Sequence, residues 1–252
     1  MRGWWLALTC AGLVSAQDAE DAVSRMLSEK LTSAQRSDAC HELRGNRSAP
    51  AVAAMRQALS SGALRACAGR NLREAGAVEE LRSALADSDT DVRALAAREL
   101  GAMRRPELIP LLDQAAFDPH PLVALNAVDA LAGYQDRSVL PSLVRIAGKG
   151  QMAGVSAMKH AAQLGDPAIL PVARQYLDGP DVAARVIAVG VIGEMGGASD
   201  LPRLREMAAK TEPLSQQGRG FGLMPAISLG QAARNAIERI EARRSKAQDT
   251  AY

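Results

Sequence analysis

A spacing of about 31 residues constrains this chain more than any other feature. Four segments align: PELIPLLDQA from Pro106, RSVLPSLVRI from Arg137, PAILPVARQY from Pro167 and ASDLPRLREM from Ala198. Each holds an apolar residue followed by proline. Those prolines, Pro110, Pro141, Pro171 and Pro202, lie 31, 30 and 31 residues apart. Proline is tolerated in a first helical turn, where the backbone N–H has no intrahelical partner. Each proline therefore marks the start of a helix. A second set shares the register. Val92, Ala96 and Leu100 fall at i, i+4 and i+8, one face of a helix. The same steps lead to Val123, Ala127 and Leu131, then Ala153, Ala157 and Ala161, then Ala184, Ala188 and Ile192. The face stays apolar in every copy, so the unit is helix, turn, helix.

The register shortens upstream but persists. Leu64, Arg65, Ala68 and Leu72 overlay Val92, Arg93, Ala96 and Leu100, and Arg36, Ala39 and Leu43 overlay them again. The expected fold is all-α: an α-solenoid of about seven helix pairs wound as a right-handed superhelix. The end pairs are degenerate because one face of each meets water instead of a neighbour. Leu100-Gly101, Leu164-Gly165 and Ile192-Gly193 place glycines where helices are expected to end in a left-handed residue. Aromatic residues are only 3% of the chain, which suits helices packed through small side chains rather than a sandwich of strands.

The repeat resembles the HEAT family, in particular its short bacterial form. Asp87, Asp91-Val92-Arg93, Ala96 and Leu100-Gly101 carry the likeness in one copy. Asp178 and the stretch from Val182 to Gly193 echo it in another. Ala124 and Gly154 stand where Arg93 and Arg185 lie in the other copies, which interrupts an Asp–Arg ladder between repeats. HEAT-like enzymes of the deoxyhypusine hydroxylase type hold two irons on several His-Glu pairs. Here one pair, His41-Glu42, is present, too few to assemble that site. The repeat is also similar to those of bilin lyases.

The ends suggest export. Arg2 precedes an uncharged apolar stretch from Trp4 to Val14, and Val14-Ser15-Ala16 supplies small residues before a polar run. The stretch is shorter than the roughly 20 residues that span a bilayer. The expected organisation is a cleaved leader over 1–16, degenerate repeats over 17–75 and regular repeats over 76–197. A last repeat follows over 198–243, then a polar tail over 244–252. The mature chain keeps Cys40 and Cys67, on second helices of adjacent repeats. They are either a disulfide or two buried thiols.

In the last repeat the apolar face resumes at Ala232, Ala236 and Ile240, about 17 residues late. The segment PLSQQGRGFGLMPA, within 211–226, is the insertion. It lacks the G-x-G-x-x-G spacing of a phosphate loop. Helix 181–195 is apolar nearly all round, so the insert, through Phe221, Leu223 and Met224, is read as its cover on the groove side, the alternatives being a plain mobile loop or a face on which a partner docks.

No H-E-x-x-H, paired C-x-x-C, Walker loop or G-x-S-x-G elbow occurs, so neither cofactor nor metal chemistry is called for. A net charge of +2 gives no footprint for nucleic acid. The expected function is a non-enzymatic scaffold that binds a protein partner through a groove of second helices. The residues expected at that surface are Arg98, Asp129, Lys159, His160, Arg219 and Phe221. The alternatives are an accessory lyase or hydrolase using the same groove, and a self-assembling structural subunit.

Overall fold

The computed structural model describes residues 16–209 and 228–249. The segments expected to be a leader and an insert, the latter with Arg219 and Phe221, thus lie outside the described residues, apart from Ala16 at the start of the first helix. Every regular element among the described residues is helical. Two compact units divide the chain at Met103–Arg104. The first contains α1 (Ala16–Leu27), α2 (Ser33–Glu42), α3 (Ala49–Ala58), α4 (Arg65–Ala75), α5 (Val78–Ala84) and α6 (Thr90–Ala102). The second contains α7 (Ile109–Ala115), α8 (Pro121–Ala132), α9 (Leu140–Ala147), α10 (Gln151–Gln163), α11 (Leu170–Tyr176), α12 (Val182–Met195), α13 (Leu201–Ala209) and α14 (Leu229–Asp249). Taken in order these are seven helix pairs.

Local chemistry explains where the helices begin. Pro110, Pro141, Pro171 and Pro202 occupy the second position of α7, α9, α11 and α13. A single 3-10 turn precedes each of these helices, which the repeat spacing did not reveal. Side-chain caps start several second helices. Asp89 accepts from the Asp91 amide at 2.8 Å, and Asp181 from the Ala183 amide at 2.9 Å. Thr32 and Gln35 form a capping box at α2.

The helix ends differ from expectation. Gly101 and Gly193 lie inside α6 and α12, not after them. The left-handed residue comes four positions after the last apolar contact of the second helix. Gly76 takes it after Leu72, Arg104 after Leu100, Gln135 after Leu131 and Gly165 after Ala161. Arg104 and Gln135 hold φ of 52° and 54°, which costs an L-residue roughly 1 kcal/mol each. Gly193 has a packing role. A Cβ there would fall 2.8 Å from the Ala236 Cβ and 2.9 Å from its Cα, so glycine lets α12 and α14 touch backbone to side chain.

The core follows the register. The four apolar triplets from Val92 to Ile192 are all buried, as are Ala39, Leu43, Ala68 and Leu72 upstream. In the last helix the buried face is Leu229, Ala233, Ala236 and Ile240, with Ala232 half-buried, one position from the expected line. Residues 244–249, read as tail, continue α14 as an exposed helix.

One core position changes chemistry. Leu108, Val139 and Ile169 are equivalent and fully buried, and the fourth copy puts Asp200 there. Arg174 of α11 meets it twice, Nε to Oδ1 at 2.7 Å and Nη2 to Oδ2 at 3.1 Å. The Gly197 amide donates to Oδ2 at 3.0 Å. These donors, Arg174 foremost, hold the Asp200 carboxyl below the usual aspartate range. A carboxylate with a depressed folded pKa contributes stability above its unfolded value of about 4 and loses it as pH falls through the folded value. Arg174→Gln is expected to cost about 1–2 kcal/mol at pH 7, the partly exposed guanidinium being screened. The difference from wild type should shrink below about pH 4. Urea titrations of both proteins from pH 7 to pH 2.5 check this, and a pH-independent difference would refute the ionic account.

Candidate protein-binding groove

The second unit carries an open groove of about 860 Å³ on its second helices, α8, α10 and α12. One turn of α10 after another presents Met152, Val155, Ser156 and Lys159 to it, at the i, i+3, i+4, i+7 spacing of a helix face. Leu125 of α8 and Ala183, Ala184 and Ile187 of α12 supply the sides. The turns Gly148–Gln151 and Gly179–Asp181 form one end. Met152 is 64% exposed, the most exposed of the large apolar residues described. The groove is therefore apolar on its floor, with the cations Lys149 and Lys159 and the carboxylate of Asp181 among its lining residues.

Tyr176 shapes that end. Its hydroxyl donates to the Ala147 carbonyl at 2.8 Å, and burial pushes its phenol up. A Cβ on Gly154 would come within 2.7 Å of the hydroxyl oxygen. The break in the arginine register at Gly154 thus makes room for the tyrosine. At the corresponding place in α12, Arg185 is the residue present.

A second, smaller hollow of about 480 Å³ lies between α8 and α10, lined by Asp129, Gln135, Leu143, His160 and Gln163 among others. His160 Nε2 is 3.4 Å from Asp129 Oδ1, and its Nδ1 is 3.2 Å from Gln163 Oε1. Of the residues expected at the surface, the fold thus brings Asp129 and His160 together. Lys159 faces the larger groove instead. Arg98 belongs to the other unit, where it is exposed and its guanidinium lies 2.9 Å from Glu99.

The other histidines have local roles. His120 caps α8, its Nδ1 accepting from the Leu122 amide at 3.3 Å. His41 is exposed and stands 3.8 Å from the Cys67 sulfur. Glu42, its neighbour in sequence, pairs with Arg25. Among the described residues no group of three or more His, Cys, Asp or Glu side chains is placed to hold a metal ion. No helix among them is long and apolar enough to cross a membrane.

Asp–Arg contacts between repeats occur, but by a route the sequence register did not show. Arg65 of α4 reaches forward to Asp89 and Asp91 at the start of α6, both at 2.6 Å. Arg93 instead turns back on its own repeat, donating to the Asp87 and Ser88 carbonyls. Arg203 pairs with Asp178 in the last repeats.

Stacked helix pairs with a buried face on each second helix define a helical-repeat protein. The sequence comparison makes the repeat type specific: residues 78–157 match the family model of HEAT repeats, so the chain carries HEAT repeats in that segment. Comparison with curated proteins gave no match. Similar solved structures include human deoxyhypusine hydroxylase in complex with glycerol, 18% identical over 90% of this chain and 96% of that one, TM-score 0.39. The complex of CpcE and CpcF of phycocyanin lyase from Nostoc sp. PCC7120 is 20% identical over 95% and 99%, TM-score 0.40. A designed armadillo repeat protein is 17% identical over 87% and 98%, TM-score 0.40. At these scores they carry no argument about what this chain binds.

Proposed function

We propose that this chain is an exported, non-enzymatic scaffold that holds a segment of a protein partner in the groove of α8, α10 and α12. The exposed Met152 beside Val155, Leu125 and Ile187 is the observation that carries this reading. An exposed apolar floor on a concave surface is the usual mark of an interaction site. Methionine is the side chain best able to repack against varied apolar partners. Lys159 at the same groove favours a carboxylate on the partner beside its apolar anchor. The Cys40–Cys67 bridge supports an oxidising compartment. The separation of Lys159 from His160, which face different hollows, speaks against the accessory-enzyme alternative.

A display selection of random peptides against the full chain tests the proposal. Enriched peptides should combine apolar anchors with acidic residues. Their affinity should fall about tenfold or more for Met152→Asp, the size of a hot-spot loss, and less for Lys159→Glu. Phe117→Ser, at an exposed ring outside the groove, should leave it unchanged. Undiminished binding by Met152→Asp would place the partner elsewhere. Mass that rises with concentration and returns to the monomer value in Met152→Asp would make the occupant a second copy.

A further inference from the structure

Cys40, on α2, and Cys67, on α4, form a disulfide with Cα atoms 6.4 Å apart. Its surroundings are unequal. Cys40 is fully buried, whereas Cys67 is 7% exposed. His41 lies exposed at the surface and brings Nδ1 to 3.8 Å from the Cys67 sulfur. Asn71, one turn beyond Cys67, is itself buried. Its Nδ2 donates to the Cys40 carbonyl at 2.6 Å and lies 3.7 and 3.8 Å from the Cys40 and Cys67 sulfurs. The less deeply buried of the two cysteines therefore has an imidazole beside its sulfur, and both sulfurs share one fixed amide donor.

We propose that the bridge is a reversible thiol–disulfide couple, with Cys67 as the nucleophilic sulfur, Cys40 as the resolving one and low-molecular-weight disulfides as the substrate class. In the reduced protein His41 takes the Cys67 thiol proton, leaving a thiolate beside an imidazolium, and the thiolate is the reactive form. The Cys67 thiolate attacks one sulfur of R–S–S–R. A Cys67–S–S–R bond forms and RS⁻ leaves, taking the proton from His41. Cys40 then loses its proton and attacks the Cys67 sulfur, expelling the second RS⁻, which picks up that proton. The sum is one protein dithiol and one R–S–S–R giving the Cys40–Cys67 disulfide and two R–SH. The reverse sequence reduces the bridge. Small reagents are the fitting partners because Cys67 is only 7% exposed, and Asn71 stands beside both sulfurs.

The full chain is reduced, freed of reductant and exposed to oxidised glutathione, then quenched with acid at short times and mapped by mass spectrometry. The first mixed disulfide should sit on Cys67, with none accumulating on Cys40. In single-cysteine forms, Cys40→Ser should react with iodoacetamide roughly tenfold faster than Cys67→Ser, because only Cys67 has the imidazole beside its sulfur. His41→Ala and His41→Gln should each remove most of that advantage without changing the rate of the Cys67→Ser form. A mixed disulfide on Cys40, or equal alkylation rates, would overturn the assignment. So would rates indifferent to His41. A reduced chain that has lost its helical circular dichroism would expose both thiols alike and overturn it too.

Discussion

Replacing Cys40 and Cys67 together by serine is expected to lower the stability of the first unit by about 3–4 kcal/mol, the chain-entropy value for a loop of this length. The two cysteines are 27 residues apart, and the loop they close contains α3 and both of its flanking turns. Without the bridge the unfolded chain regains that freedom, while the folded chain loses one covalent tie between α2 and α4. The packing around it gives little compensation, since the buried residues of α3 are Ala51, Ala54, Met55 and Ala58, three of them alanines. Hydrogen exchange on the intact protein measures this locally. Amides of α2, α3 and α4 should exchange faster by the factor that corresponds to the lost free energy. Unchanged protection in those helices would mean that the staple is redundant.

Leu131→Ala is the second large effect, with an expected cost of about 2–5 kcal/mol. Leu131 is fully buried at the end of the α8 triplet. Its counterparts are Leu100, Ala161 and Ile192. A leucine buried this completely has no water to replace it, so truncation leaves a cavity. Leu122→Ala on the same helix is the control. That side chain is 43% exposed, and its loss should cost within about 0.5 kcal/mol. Urea unfolding of the two variants separates the cases, and similar midpoints would refute the register.

The periodic part of the molecule was legible because it rests on local rules. Proline starts a helix whatever surrounds it, and a face at i, i+4 and i+8 must go to the core. The apolar face is buried in every copy from Val92 to Ile192, and the proline marks α7, α9, α11 and α13 but not α5. Departures lie where distant chain decides. Gly193 is a packing glycine because Ala236 approaches it, not because a helix ends there. Arg104 and Gln135 take left-handed backbone that their identities disfavour. Asp200 could have been found by sequence, since it stands in line with Leu108, Val139 and Ile169, but its partner Arg174 lies 26 residues away on another helix. The groove was the hardest part. Lys159 and His160 are adjacent in sequence, and only the helical rotation between them sends one to each hollow. Met152, which dominates the larger groove, has no motif to announce it.

The close seam between α12 and α14 also bears on the order in which the second unit assembles. Most of its stabilising contacts join residues about 30 positions apart or fewer, so neighbouring pairs form with small losses of chain freedom. The seam is different: Arg243 donates to the carbonyls of Gly193 and Gly196, at 2.6 and 2.9 Å, across 50 and 47 residues. Contacts of long sequence separation form late. During synthesis α7 to α11 have local partners as soon as they emerge, while the α14 side of α12 stays open until Ala236 and Arg243 have been added. The last helix is thus expected to close last, as a latch on an array already formed.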